Sequence, residues 1–191
     1  MGNGIYYYYL YNMTFCKQSN GNNCGPASVH MALAQRRNGT SPVSQATLAS
    51  TSYLWTDYYG GTPQSLVPST LNSILGVSWY VYTNVSSLQT QWLIDKIELN
   101  LNINYAPILL GEQVIDGIGR FMGHGNYYMC HYVPIYGLNN YDQWFGVSYK
   151  DPVSGLINPA TGYLWFPNVP QNCSISPENM ARLMIYGALI Y

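Results

Sequence analysis

Helix-type apolar spacing fills the first half of this chain and strand-type runs fill the second, and that order constrains the fold more than any other feature. In the first half, Pro26 suits the opening turn of a helix, where a missing N–H costs nothing. Val29, Ala32, Leu33 and Arg36 follow at helical intervals until Asn38-Gly39 ends the run. Ser44 reads as the cap of a short helix over 45–49. A further helix is expected over 64–75 with Leu71, Ile74 and Leu75 inward, although Pro68 argues against it. Another is expected over 86–100, with Leu88, Trp92, Leu93 and Ile97 on one face. The aromatic run 5–15 and the stretch 79–82 read as extended. In the second half, 107–111 is a short buried strand and 112–126 a Gly-rich connection. The runs 128–138 and 144–149 form a hairpin around a turn at 139–142. A capped helix from Ser176 to about Leu189 closes the chain. Helices first and strands later make an α+β protein, not the alternation of a doubly wound sheet. With no repeat or linker, 191 residues are expected to form one domain, 1–191.

The polar loop Gln18-Ser19-Asn20-Gly21-Asn22-Asn23 runs straight into Cys24 at the start of the first helix. A thiol at the positive end of a helix dipole is biased toward thiolate. In the hairpin, His131 heads an apolar strand and Asp151 ends its partner, so the carboxylate can reach the imidazole. The roles follow: Cys24 as nucleophile, His131 as base, Asp151 as the group that fixes the ring, and Gln18 with the Cys24 N–H as oxyanion donors. His30 is expected to be structural. His124, between Gly123 and Gly125, reads as a loop histidine rather than a second base, or as part of a flexible lid. Asp142 competes weakly with Asp151.

Charged residues make up only 8 % of the chain, against roughly 25 % in ordinary soluble proteins, and the formal net charge is −1. Without a concentrated cationic face, nucleic acid is not an expected partner. No apolar run reaches the roughly 20 residues of a membrane span. The cysteines at 16, 24, 130 and 173 have no zinc-ligand spacing, Glu112 and Asp116 lack the pattern of a metal site, and no metal or cofactor is expected. If Cys24 stays free, one disulfide can form, with Cys16 pairing to Cys173 or to Cys130. The sequons at Asn12, Asn38, Asn84 and Asn172 carry little weight in so Asn-, Ser- and Thr-rich a chain. Met1-Gly2-Asn3 does not open a signal peptide, while the weakly charged, tyrosine-rich composition fits a secreted protein.

Gln18, then Cys24-Gly25-Pro26-Ala27-Ser28, then His131-Tyr132-Val133 with Ile135 and Gly137, then Asp151-Pro152 resembles the papain-like cysteine peptidases. The likeness is to the branch related to double-glycine (bacteriocin-leader) peptidases and their stand-alone secreted bacterial relatives. It covers residues 18–152 and implies a helical lobe bearing the cysteine, packed on an antiparallel β lobe bearing the histidine, with the site in the cleft between. It also implies a peptide or protein substrate. A Gly-Gly segment in such enzymes pairs with extended substrate, which would be Gly60-Gly61 here. Tyr59, Tyr58 and Trp55 would then line one side of the cleft and Trp144 would wall the other. Two features depart from the pattern. Cys130 directly precedes the histidine, and there are no transporter domains, so cleavage of a Gly-Gly leader is not implied. The same thioester also suits an acyltransferase, and a catalytically silent binding module is the alternative of another class.

Overall fold

A computed structural model describes residues 8–9, 13–84, 90–141, 144–185 and 187–191. The strands are β1 (Tyr8–Tyr9), β2 (Tyr82–Asn84), β3 (Ile108–Gln113), β4 (Met129–Tyr141), β5 (Trp144–Lys150), β6 (Asn172–Ile175) and β7 (Ala188–Ile190). The helices are α1 (Cys24–Arg36), α2 (Gln45–Ala49), α3 (Thr56–Tyr59), α4 (Leu66–Leu75), α5 (Thr90–Asn102) and α6 (Pro177–Leu183). All strand pairs are antiparallel, in the order β2-β7-β3-β4-β5-β6, with β1 alongside β4. Helices α1 to α5 precede most of the sheet, so the architecture is α+β.

Helix α1 is buried from Cys24 to Ala34 except at His30, which is half-buried and whose ring burial makes harder to protonate. A helix apolar all round belongs inside a core, and small residues let it lie close to its neighbours. It packs on β4, where the Ser28 hydroxyl donates to the Tyr132 carbonyl at 2.9 Å. Its C-terminus closes as Asn38-Gly39 suggests, with the Gly39 N–H on the Ala34 carbonyl at 2.7 Å. Ser44 caps α2 by accepting the Thr47 N–H. Pro68 falls in the first turn of α4, where it removes no helical hydrogen bond, and Leu71 is fully buried.

Several expected elements differ. The loop around 55–63 contains one helical turn, α3, opened by Trp55 and closed by Gly60, both at positive φ (55° and 68°). The strand expected over 79–82 lies at β2 instead, and the Trp79 indole N–H donates to Asn100. The start of the helix expected from Ser86, with Leu88, lies outside the described residues, as does Asp142. The tail helix stops at Leu183 because the chain must pass against β3. A Cβ on Gly187 would strike the Leu110 carbonyl oxygen, and 188–190 then pair as a strand with β3 and β2. All four cysteines are free thiols, so neither suggested disulfide forms. No described helix is long and apolar enough to cross a membrane.

Gly187→Ala should therefore destabilise the fold by about 1–3 kcal/mol, in the range of overpacking a tight site. Urea denaturation followed by tryptophan fluorescence measures it, and an unchanged midpoint would contradict this account of the chain's end.

Candidate active site

The α1 N-terminus, the segment 59–64 and strands β3 and β4 enclose an open cleft of about 530 Å³. Cys24, Tyr59, Gly60, Gly61, Glu112 and Cys130 are among the residues that line it. Close approach holds the two walls. A Cβ on Gly25 would run into the Thr62 side chain, whose hydroxyl bonds that of Thr56 at 2.7 Å. The Tyr132 hydroxyl reaches across from β4 and donates to the Thr62 carbonyl at 2.9 Å.

The register of β3 and β4 explains how the sulfur meets the imidazole. The Ile135 N–H donates to the Pro107 carbonyl, so Tyr132 faces Leu110 as a non-hydrogen-bonded pair. Its N–H and C=O therefore point away from β3, toward α1. The carbonyl takes the Ser28 hydroxyl and the N–H points at the Cys24 sulfur. The neighbouring residue, His131, puts its ring beside the same sulfur.

Burial alone would push the Cys24 thiol up. The hydrogen bond and charge of His131, with the N–H groups of Tyr132 and Gly25, outweigh it and bring the thiol below its ordinary value. Cys16 and Cys173 move the other way: burial raises both, Cys173 to about 12. His131 is buried, which by itself disfavours its charge. The Asp151 carboxylate and the Cys24 sulfur reverse that and raise the ring to about 10. Its Nε2 lies 2.8 Å from Asp151 Oδ1, which leaves Nδ1 for the sulfur. Burial likewise opposes ionisation of Asp151. The charge of His131 and the hydrogen bonds from His124 and His131 prevail, and hold the carboxyl well below the usual carboxylate range.

His124 is in a loop, as expected, but its partner was missed by sequence reasoning. It is a buried partner of Asp151, with Nε2 2.9 Å from Oδ2 and Nδ1 2.8 Å from the Tyr127 hydroxyl. The only signal in the sequence was the preceding glycine. Gly123 has φ +79°, and a Cβ there would collide with the Asn168 carbonyl. His124, His131 and Asp151 form the metal-ligand-like grouping among the described residues, with donor atoms within 4.8 Å of one another. The facing nitrogen of each histidine is already matched to a carboxylate oxygen by a hydrogen bond.

Gln18 is buried in the loop before α1. Its N–H donates to the Pro152 carbonyl at 2.8 Å, tying the loop to the residue after Asp151. Its side-chain Nε2 donates to the Asn20 carbonyl at 2.7 Å, leaving one amide proton uncommitted by that bond. Tyr58 and Tyr59 are exposed and stack edge-on beside the cleft with Trp55. The Trp144 side chain lies outside the described part of the structure. An indole packed against the loop before Cys24 is that of Trp165, 3.7 Å from where a Gly21 Cβ would sit.

Two comparisons found similar proteins. The Peptidase_C39 like family matches residues 10–160. A structure of digestive procathepsin L 3 from the larval midgut of Tenebrio molitor superposes with a TM-score of 0.51 at 12 % identity. The match covers 93 % of this chain but only 66 % of that one, and at such identity it speaks for the fold alone. A sequence search of the curated proteins found no significant match.

The site predicts a pH signature. Because His131 is raised, its ion-pair contribution to stability is fully present below the ordinary imidazole value of 6.5 and is lost as pH rises through about 10. Activity should accordingly fall on the alkaline side near pH 10. Alkylation of Cys24 by iodoacetamide should already be fast at pH values where an ordinary thiol is protonated. An alkylation profile that follows an unperturbed thiol would contradict the ion pair.

Proposed function

The chain belongs to the Peptidase_C39 like family and is a papain-like cysteine peptidase, and from that premise we propose that it hydrolyses a peptide bond through a Cys24 acyl-enzyme. The observation that carries this reading is the lowered Cys24 thiol beside His131, itself bonded to Asp151, at the wall of an open cleft.

The thiolate attacks the scissile carbonyl carbon, and the carbonyl π electrons move to oxygen. Two donors suit that oxyanion. One is the Cys24 N–H, at a helix N-terminus without a side-chain cap, and the other is the second amide proton of Gln18. As the tetrahedral species collapses, His131 gives its Nδ1 proton to the departing amine, leaving a thioester. Water then attacks the thioester, losing a proton to His131. The carboxylate product leaves, and the thiolate–imidazolium pair is restored. Asp151 stays ionised throughout, holding the ring and balancing its charge.

The substrate reading is a peptide or protein strand lying along Gly60-Gly61. No atom lies within 4 Å of where a Gly61 Cβ would sit, so the backbone there is open to an added strand.

Four variants test this. Cys24→Ala should abolish cleavage in a peptide-library digest while the wild type cuts, with intact mass showing a trapped acyl adduct only when Cys24 is present. Gln18→Ala should lower kcat by about 10²–10³-fold with little change in KM, as loss of one oxyanion donor does. Gly61→Ala should raise KM several-fold without lowering Tm, since the methyl would enter space that only substrate occupies. Products carrying an added amine in place of water would turn the reading into acyl transfer. E-64 labelling of Cys24 that survives His131→Ala unchanged would overturn it.

A further inference from the structure

His124 plays no part in the reaction just described, yet it occupies the half of Asp151 that His131 leaves free. We propose that His124 is a positioning residue of the catalytic centre, donating its Nε2 proton to Asp151 Oδ2 so that Oδ1 stays aimed at His131. The proposal rests on the peptidase reading for its kinetic consequences, but not for its geometry.

A carboxylate anchored through one oxygen can still turn about its Cβ–Cγ bond. Here Oδ1 receives His131 at 2.8 Å and the Val153 N–H at 3.1 Å, while Oδ2 receives His124 at 2.9 Å. With each oxygen engaged by a different histidine, the plane of the carboxylate is fixed. The side chains of His124 and Asp151 are fully buried, so no water contact substitutes for this hydrogen bond.

The tautomer follows from the partners. A carboxylate only accepts, so His124 Nε2 carries a proton. In the neutral ring Nδ1 is then an acceptor, and the Tyr127 hydroxyl, 2.8 Å away, donates to it. The ring cannot turn over without breaking both bonds. Phe121, Phe166 and His131 surround it, with centroids 5.9, 5.5 and 5.4 Å away.

The loop that presents His124 is anchored and does not form a lid. Gln113, buried at the end of β3, donates through Nε2 to the Gly125 and Tyr127 carbonyls at 2.7 and 2.9 Å. Its Oε1 accepts the Phe121 N–H at 3.2 Å. His124 and His131 are thus both referenced to β3, one through this amide and the other through its ladder partner Gly111. A positioning device needs that rigidity, because about 1 Å of misplacement can cost on the order of 10²-fold in rate.

The test compares His124→Gln, which keeps an N–H donor at similar reach, with His124→Leu, which removes it, in the full chain. His124→Leu should lower kcat by about 10–10²-fold with KM within twofold. It should also shift or broaden the low-field NMR resonance of the His131 Nε2 proton. His124→Gln should recover most of both. Tyr127→Phe gives a milder variant that leaves the Nε2 bond in place, and a several-fold fall in kcat is expected. It keeps the test decisive if His124→Leu fails to fold. A His131 resonance and kcat unchanged in His124→Leu, or a Gln variant no better than Leu, would overturn the proposal and leave a purely structural histidine. The resonance is read without substrate. If the variants shift the resonance as expected while the wild type cuts no peptide, the peptidase reading falls and this one stands.

Discussion

The structure depends on the backbone of a single residue. Tyr132 faces away from β3 in the ladder, and both of its polar groups meet the first turns of α1: its carbonyl takes the Ser28 hydroxyl and its N–H points at the Cys24 sulfur. Strand alternation turns the ring of the preceding residue, His131, away from the Tyr132 ring, and Asp151 and Phe121 hold it there beside the Cys24 sulfur. Helix and hairpin are thus docked by the contact that brings the Cys24 sulfur and the His131 ring together.

Placing charge there is costly unless it is matched. Burial opposes the ionised forms of Cys24, His131 and Asp151, yet hydrogen bonds and opposite charges win at all three. The balance works because the charges alternate from one partner to the next: thiolate, imidazolium, carboxylate. Removing one member would leave its neighbour buried and unpaired, so the members are expected to act as a unit. In a chain with only 8 % charged residues, Asp151 is the buried acid among the described residues, and solubility is left to amides, hydroxyls and tyrosines.

Much of this was legible in the sequence because it depends on local chemistry. The boundaries of α1, the Ser44 and Ser176 caps and the pairing of 128–138 with 144–149 follow from short-range rules of spacing and capping. The meeting of His131 with Asp151 follows from hairpin geometry, since a hairpin returns the end of one strand to the start of the other. Contacts between distant segments were not legible. Strand β7 is three buried apolar residues, too short for any period to separate from the helix before it, and only its place beside β3 makes it a strand. Strand β6 is only one residue longer, and it is fixed by pairing with β5. His124 lies 27 residues from Asp151 along the chain, in a loop without periodicity, and nothing local indicates that the loop folds inward.

The glycines around the centre carry that missing information in another form. Gly25 admits Thr62 to the start of α1, Gly111 leaves the space across from His131 that Phe121 fills, and Gly123 lets the chain pass the Asn168 carbonyl on its way to His124. In the first two cases the absent Cβ is occupied by a side chain that packs against a reactive group or its support. In the third it allows the backbone turn that delivers a polar one. Phe121 then shows what the close packing achieves. Its ring lies 5.3 Å from His131 and 5.9 Å from His124, and its N–H is held by Gln113. Apolar surface on this flank excludes water from the carboxylate, and exclusion is what makes the hydrogen bonds to Asp151 strong enough to hold an imidazolium at high pH. The glycines permit the packing, the packing dries the carboxylate, and the dry carboxylate keeps His131 charged beside the sulfur.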